Sequence, residues 1–255
     1  MKKKYILYII TMVSISVLLA CKKNTAKTPY NLTTNQAFLK INYASANTAN
    51  TLVQLKINDE RVSDDDITGR TPFPGGGLNT VGSAAAPDYL AVNSGNIKFS
   101  FSIPNVKTNI DSIVLYTTNI NVEGGKYYTL HITDTAPNIQ SVLIPEDIAN
   151  SPDSGFSKYR FVHLMPNVPA IDLYFDTTIV ARNIPYKGAS PFFNLKFTSP
   201  NKWAIRPAGA LRSTTAVTYE TGFVPNQRIF TVFAMGYSGI TTASRKPYVS
   251  LIYNR

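Results

Sequence analysis

Few residues in this chain have the type and spacing for chemistry, and counting limits what they can do. Its 255 residues hold two histidines, His131 and His163, and a single thiol at Cys21. A Cys-rich zinc module, a disulfide framework and an iron–sulfur site are therefore excluded. His163 falls on the strand face of Phe161 and Met165 and reads as a half-buried, hydrogen-bonded imidazole. His131 alternates with Leu130 and Ile132 and is expected to point outward beside Thr129 and Thr133. With the two imidazoles in different halves, a shared metal would need an interdomain geometry, and no metal or cofactor is expected. No nucleophile elbow occurs, so a hydrolase would need an unseen nucleophile, and no catalytic residue is assigned. Ser63-Asp64-Asp65-Asp66 offers clustered carboxylates of the kind calcium takes, but it lacks the spaced ligand loop of an EF-hand and reads as a solvated acidic turn. Pro72-Phe73-Pro74-Gly75-Gly76-Gly77 has no Lys-Ser or Lys-Thr after it and no helix to open, so it reads as a flexible loop and not as a phosphate cradle.

Cys21 has a better explanation. Lys2-Lys3-Lys4 precedes an uncharged apolar run from Tyr5 to Leu19, which Lys22 and Lys23 close. That run is shorter than the ~20 residues of a spanning helix and has the layout of an export signal. Leu18-Leu19-Ala20-Cys21 resembles the bacterial lipobox, in which cleavage precedes an acylated cysteine. Residues 1–20 are thus expected to be a lipoprotein signal peptide, Cys21 the lipidation site, and residues 21–35 a polar, flexible tether.

Charge divides the remainder. Residues 35–150 carry seven Lys and Arg against eleven Asp and Glu, whereas residues 151–255 carry twelve against four, within a total formal charge of +10. The basic half could meet an anionic envelope polymer, or be matched by the acidic half of the same or a neighbouring molecule. Nucleic acid is not expected, because no recognition-helix or aromatic RNA-binding motif is present. Tyr174, outward by alternation, is the best aromatic for stacking on a sugar ring; Lys202 and Arg206 complete the candidate ligand site. Trp203 shares a strand face with Ile205 and reads as core.

These side chains would be positioned by strands. From Phe38 onward apolar residues alternate at period two, with Gly, Asn and Pro about every ten residues and no long helical periodicity. Strands are expected at 38–43, 52–58, 97–103, 112–117, 127–133, 159–165, 171–176, 194–198, 202–206, 229–235 and 248–253. Many short strands without helices predict an all-β chain of two β-sandwich domains, 36–147 and 158–255, joined by a linker at 148–157 within the breaker-rich run Pro145 to Gly155. A weak repeat supports the division: Val53–Asn58 aligns with Ile171–Asp176, and Lys126–Leu130 with Arg228–Val232, and Tyr43 reads as the counterpart of His163. Ile171, Leu173 and Phe175 should face a core and Asp172 the opposite side, where its replacement should cost little.

The run Phe161 to Asp176, with Asn183-Ile184-Pro185-Tyr186, Ser190-Pro191-Phe192 and Ile205-Arg206-Pro207-Ala208-Gly209, resembles domain of unknown function 4397. The first half keeps the outline through Asn42-Tyr43-Ala44-Ser45 and Leu55-Lys56-Ile57-Asn58, and Ser63 to Pro87 departs from the pattern. The resemblance implies tandem immunoglobulin-like sandwiches in a Bacteroidota-type lipoprotein, with no established activity or ligand. The expectation is a non-enzymatic protein of the cell envelope, held to the outer membrane by lipid, that binds envelope or extracellular glycan; the alternative is a structural or accessory subunit of an envelope protein assembly. Whether it faces the periplasm or the outside stays open, since no Asp or Glu directly follows Cys21.

Overall fold

A computed structural model describes residues 35–47, 51–63, 67–81, 88–105, 108–196, 201–214, 216–223 and 225–255. The signal segment, Cys21, almost all of the tether and the Asp64-Asp65-Asp66 cluster lie outside the described residues. Thr34–Arg255 forms one compact unit. Its strands are, in the first half, β1 (Gln36–Tyr43), β2 (Gln54–Ile57), β3 (Glu60–Arg61), β4 (Thr71–Phe73), β5 (Gly77–Leu78), β6 (Leu90–Asn93), β7 (Gly95–Pro104), β8 (Asp111–Val122), β9 (Tyr127–Thr133) and β10 (Gln140–Glu146). The second half adds β11 (Phe156–Leu164), β12 (Ala170–Phe175), β13 (Thr178–Pro185), β14 (Phe193–Lys196), β15 (Asn201–Pro207), β16 (Val217–Thr221), β17 (Ile229–Met235) and β18 (Tyr248–Tyr253).

Each half is a β-sandwich. In the first lobe a sheet ordered β10-β9-β1-β4, with β6 also on β1, faces a sheet ordered β3-β2-β7-β8. Leu39, Ile41, Tyr43, Leu55, Phe99, Phe101, Leu130 and Ile132 fill the space between them. In the second lobe the sheet β14-β11-β17-β18 faces β13-β12-β15-β16. Its core gathers Phe161, Leu173, Trp203, Ile205, Phe230, Val232 and Leu251. Period-two alternation sends Ile171 and Leu173 inward, as expected, and Phe175 packs on Trp203 with ring centroids 4.9 Å apart.

The wiring of the lobes repeats. β1 pairs in parallel with β9 as β11 does with β17, and β10 and β18 then lie antiparallel on the outer side of β9 and β17. Aligning Tyr127 with Ile229, as the sequence repeat does, sets Lys40 against Arg160 and Tyr43 against His163 through the strand registers. It also sets Glu146 against Asn254, since Tyr127 pairs with Glu146 and the Asn254 amide N–H donates to the Ile229 carbonyl.

The first lobe's β1–β9 sheet and the second lobe's β11–β17 sheet also pack on each other. Ala44, Val162, Leu164, Phe233, Met235 and Ile252 form a third apolar cluster, with Val142 and Tyr248 at its edge. The molecule is thus a stack of four sheets with three interiors. The glycine-rich run corrects one sequence expectation: it is no flexible loop, because Gly77–Leu78 pairs with Leu251–Ile252 and adds a strand from the first lobe to the second lobe's sheet. A Cβ on Gly77 would come within 3.0 Å of the Leu251 carbonyl oxygen, so the missing side chain permits the approach. β10 continues through Pro145 to Glu146. Proline is tolerated there because β10 is an edge strand.

Candidate functional site

Outward-facing positions of β1, β9 and β10 meet those of β11, β17 and β18 across the seam between the lobes, and at one end of it the side chains are polar and buried. The Arg160 guanidinium pairs with Glu146 at 2.5 Å, and both side chains are almost wholly buried. Glu146 also accepts from Thr129 Oγ1 at 2.6 Å and from Asn254 Nδ2 at 3.0 Å. Asn254 Nδ2 donates to Thr231 Oγ1 at 2.8 Å. Each hydrogen bond to the carboxylate offsets part of the cost of removing its charge from water.

Two further bonds are reciprocal. Lys40 Nζ donates to the Tyr253 carbonyl at 2.6 Å, and Arg160 Nη1 donates to the Pro145 carbonyl at 2.8 Å. Lys40 and Arg160 are counterparts, as are Tyr253 and Pro145, so exchanging the lobes exchanges the bonds. The seam therefore has the self-complementary pattern of a two-fold interface, built within one chain. Burial lowers the Lys40 pKa to about 8, an effect that the charges of Glu146 and Asp88 partly offset. The ammonium lies 4.6 Å from the centre of the Tyr89 ring.

A cleft of about 910 Å³ opens beside this network. Tyr89, Tyr127 and Tyr128 supply aromatic surface, Lys126 and Glu123 one rim, and Asp147, Arg255 and the buried Glu146 and Asn254 the rest of the charged and amide lining. Tyr127 stacks on Phe38 with centroids 4.5 Å apart, and Tyr89 meets Tyr127 edge-on at 5.1 Å. Arg255 fixes one wall by donating to the Ile148 carbonyl at 2.6 Å and also to that of Ala149. Two buried polar atoms on lining residues, the Tyr89 hydroxyl and Asn254 Oδ1, have no hydrogen-bond partner among the described residues. Burial and the nearby Glu146 charge push the Tyr89 phenol far above its ordinary pKa, so the hydroxyl stays protonated.

The residues singled out from sequence lie elsewhere. Tyr174, Lys202 and Arg206 share the outer face of the β12–β15 sheet, where Tyr174 pairs with Ala204 between the other two. Tyr174 is no open stacking platform: it is only 8 % exposed, because the Arg206 guanidinium covers its ring at 4.7 Å. Arg206 is itself held by the Thr214 carbonyl at 3.0 Å, whereas Lys202 is exposed opposite Glu220. Asp172 is also corrected, being buried on that outer face with its carboxylate accepting from the Asn183 amide at 2.6 Å and the Gly209 amide at 3.2 Å. Trp203 is core, as expected.

Both histidines are deeper than the sequence suggested. His131 points away from the first lobe's core, but the second lobe covers it completely. Its Nδ1 accepts from Asn42 Nδ2 at 3.0 Å, and burial, aided by Arg160, lowers its pKa to about 3. His163 is fully buried rather than half-buried; Nδ1 accepts from the Met165 amide, Nε2 donates to the Val168 carbonyl at 2.8 Å, and burial lowers its pKa to about 4. Both imidazoles are neutral at pH 7, and the buried His131 Nε2 has no hydrogen-bond partner among the described residues. No group of three or more potential metal-ligating side chains occurs among the described residues.

The cleft and its network, centred on Glu146, Arg160 and Asn254, were missed because polar positions on strands read as solvent-facing. The signal that could have found them is a cation at equivalent positions of both repeats, Lys40 and Arg160. A family model described as a domain of unknown function, DUF4397, matches residues 76–174 and again 157–249. No curated protein matches the chain.

Proposed function

Since the chain belongs to the DUF4397 family, which assigns no activity, we propose that it is a non-catalytic binding protein of the cell envelope, lipid-anchored through Cys21 after removal of residues 1–20. The observation that carries the binding role is the cleft at the seam, where a rigid network of buried side chains backs an open, aromatic-lined concavity. Anchoring rests on the lipobox-like Leu18-Leu19-Ala20-Cys21 at the end of an apolar run, and Bacteroidota-type, outer-membrane placement on the same sequence features. The ligand class is envelope or extracellular glycan. Metabolic labelling with a fatty-acid analogue tests the anchor: Cys21→Ser should abolish label and leave an uncut precursor, and labelled, processed Cys21→Ser protein would refute it.

A second reading, a subunit of an envelope assembly, is favoured by β8. This strand ends the order β3-β2-β7-β8 and carries Ile113 and Val114, each more than half exposed, beside the equally open Ile110. An exposed apolar edge strand is a template for pairing. Acidic and basic lobes already pair with each other through Arg160–Glu146 and Lys158–Asp147, which removes part of the charge complementarity from any intermolecular contact. Association through β8 would then persist at high salt; a monomer in sedimentation at every concentration and salt would exclude it.

A further inference from the structure

We propose that Arg70 and Lys246, brought together on the Tyr248 ring, form a site for an anionic oligosaccharide whose carboxylate or phosphate groups supply their missing counter-charge. The site lies where β18 begins, whereas the cleft lies where that strand ends, at Asn254 and Arg255. It rests on the glycan-binding reading above and adds a second place to it, so either can fail alone.

The two cations come from different lobes, Arg70 from just before β4 and Lys246 from just before β18. Arg70 Cζ lies 4.0 Å and Lys246 Nζ 5.1 Å from the centre of the same ring, so the charges are no more than about 9 Å apart, close to the screening length at physiological salt. Lys246 is exposed and Arg70 partly so, which leaves both open to a ligand. Their backbones are held in place. The Arg70 amide donates to the Tyr43 carbonyl at 2.7 Å, and its carbonyl accepts from the Val81 amide at 2.9 Å. The Lys246 amide donates to the Thr242 carbonyl at 2.8 Å, and its own carbonyl sits so close to Gly236 that any Cβ there would collide with it. Part of the ordering cost of presenting two cations is thus met before a ligand arrives.

A second ring shows the same arrangement with its charges balanced. Lys158 Nζ and Arg160 Cζ lie 4.6 Å and 4.9 Å from the centre of Phe192, and each has its own carboxylate, Asp147 and Glu146. Arg70 and Lys246 make no ion pair among the described residues. Arg245, next to Lys246, adds a third positive charge on the Tyr237 ring at 4.6 Å. The carboxylate beside Tyr237, Asp134, accepts from the Tyr237 hydroxyl and the Thr135 amide. A neutral ring positions a cation without cancelling its charge. Two like charges held together repel, and an anion that meets both removes that repulsion as it binds. The Arg70 guanidinium can take a carboxylate or phosphate through parallel N–H donors, and the Lys246 ammonium adds a point charge. A neutral sugar relieves none of the repulsion.

The test is calorimetric titration of the full chain in detergent with tetragalacturonate, with phosphorylated maltotetraose and with plain maltotetraose. At least one anionic sugar should bind, about 10-fold or more tightly than maltotetraose, and its affinity should fall as salt is raised. Arg70→Gln and Lys246→Gln should each weaken it about 3- to 10-fold, the loss of one charge-assisted contact. Lys196→Gln, the same loss of charge at an exposed position on β14, should change it less than about 2-fold. Failure of both anionic sugars to bind overturns the proposal, as does an equal loss in Lys196→Gln, which would mean that net charge alone attracts them. Maltotetraose bound as tightly as the anionic sugars, and equally by the Arg70→Gln and Lys246→Gln variants, also overturns it while leaving the glycan-binding reading intact.

Discussion

The two lobes carry the same strand pairings but use their equivalent polar positions differently. At the position shared by Gln54 and Asp172, the first lobe holds an amide that donates to Asp111 at 2.6 Å and to Ser102 at 3.2 Å. The second lobe holds a carboxylate that accepts two backbone amides, one from Asn183 in the left-handed region at φ 52°. Both latch an outer-sheet strand to its neighbours, Gln54 through two side chains and the Asn109 carbonyl, Asp172 through two backbone amides. At the position shared by Lys40 and Arg160, the guanidinium finds a carboxylate and the ammonium a carbonyl. One fold thus tolerates different chemistry at matched sites, even with the buried Gln54 Oε1 left without a hydrogen-bond partner among the described residues.

The largest effect should come from the seam, where the lobes cease to be separable. Glu146→Ala strands the Arg160 charge and should cost about 3–5 kcal/mol in chemical denaturation. Loss of less than 1 kcal/mol, or separate unfolding of the two lobes in calorimetry, would show that the seam is weak. Next, Asp172→Ala should cost about 2–3 kcal/mol and Gln54→Ala about half that, because Asp172 takes part in two charge-assisted hydrogen bonds and Gln54 in one, to Asp111. Equal losses would erase the contrast between the lobes.

Acid should then probe one histidine from each lobe. Folded pKa values of about 3 for His131 and about 4 for His163 lie below the unfolded 6.5, so the unfolded chain binds more protons between them. Stability is accordingly full above pH 6.5 and falls on acidification from 6.5 toward 4, by about 1.4 kcal/mol per pH unit for each histidine. His163→Asn should halve that slope, leaving the His131 share; an unchanged slope would mean that His163 is protonated in the fold. Smallest of all, Lys98→Ala, which removes an exposed pair with Asp59, should change stability by less than about 0.5 kcal/mol.

Strands were legible in the sequence wherever one side was apolar. Alternation placed β1, β7, β9, β12, β15 and β17 within a few residues, put Trp203 in the core, and exposed the repeat that the strand registers bear out. It did not reveal β10, whose Pro145 and acidic end read as a boundary, nor β13 or β16, whose weak alternation reflects partial exposure. Most of the candidate site was hidden for one physical reason. Periodicity separates the two faces of a strand but cannot say whether the polar face meets water or a second sheet, so Thr129 and His131 read as surface. Tyr174 shows the same limit on a smaller scale, since a single neighbouring guanidinium turns an outward ring into a covered one.

The near two-fold seam has a consequence for how such a chain can diverge. In a dimer of identical single lobes, the position held by Glu146 and Asn254 would face a copy of itself, either two carboxylates repelling or two amides without a charge to bind Arg160. Duplication within one polypeptide lifts that constraint, because each copy can mutate alone. The Glu146–Asn254 hydrogen bond is a contact that only non-identical halves can make, and the cleft lies where that identity is broken.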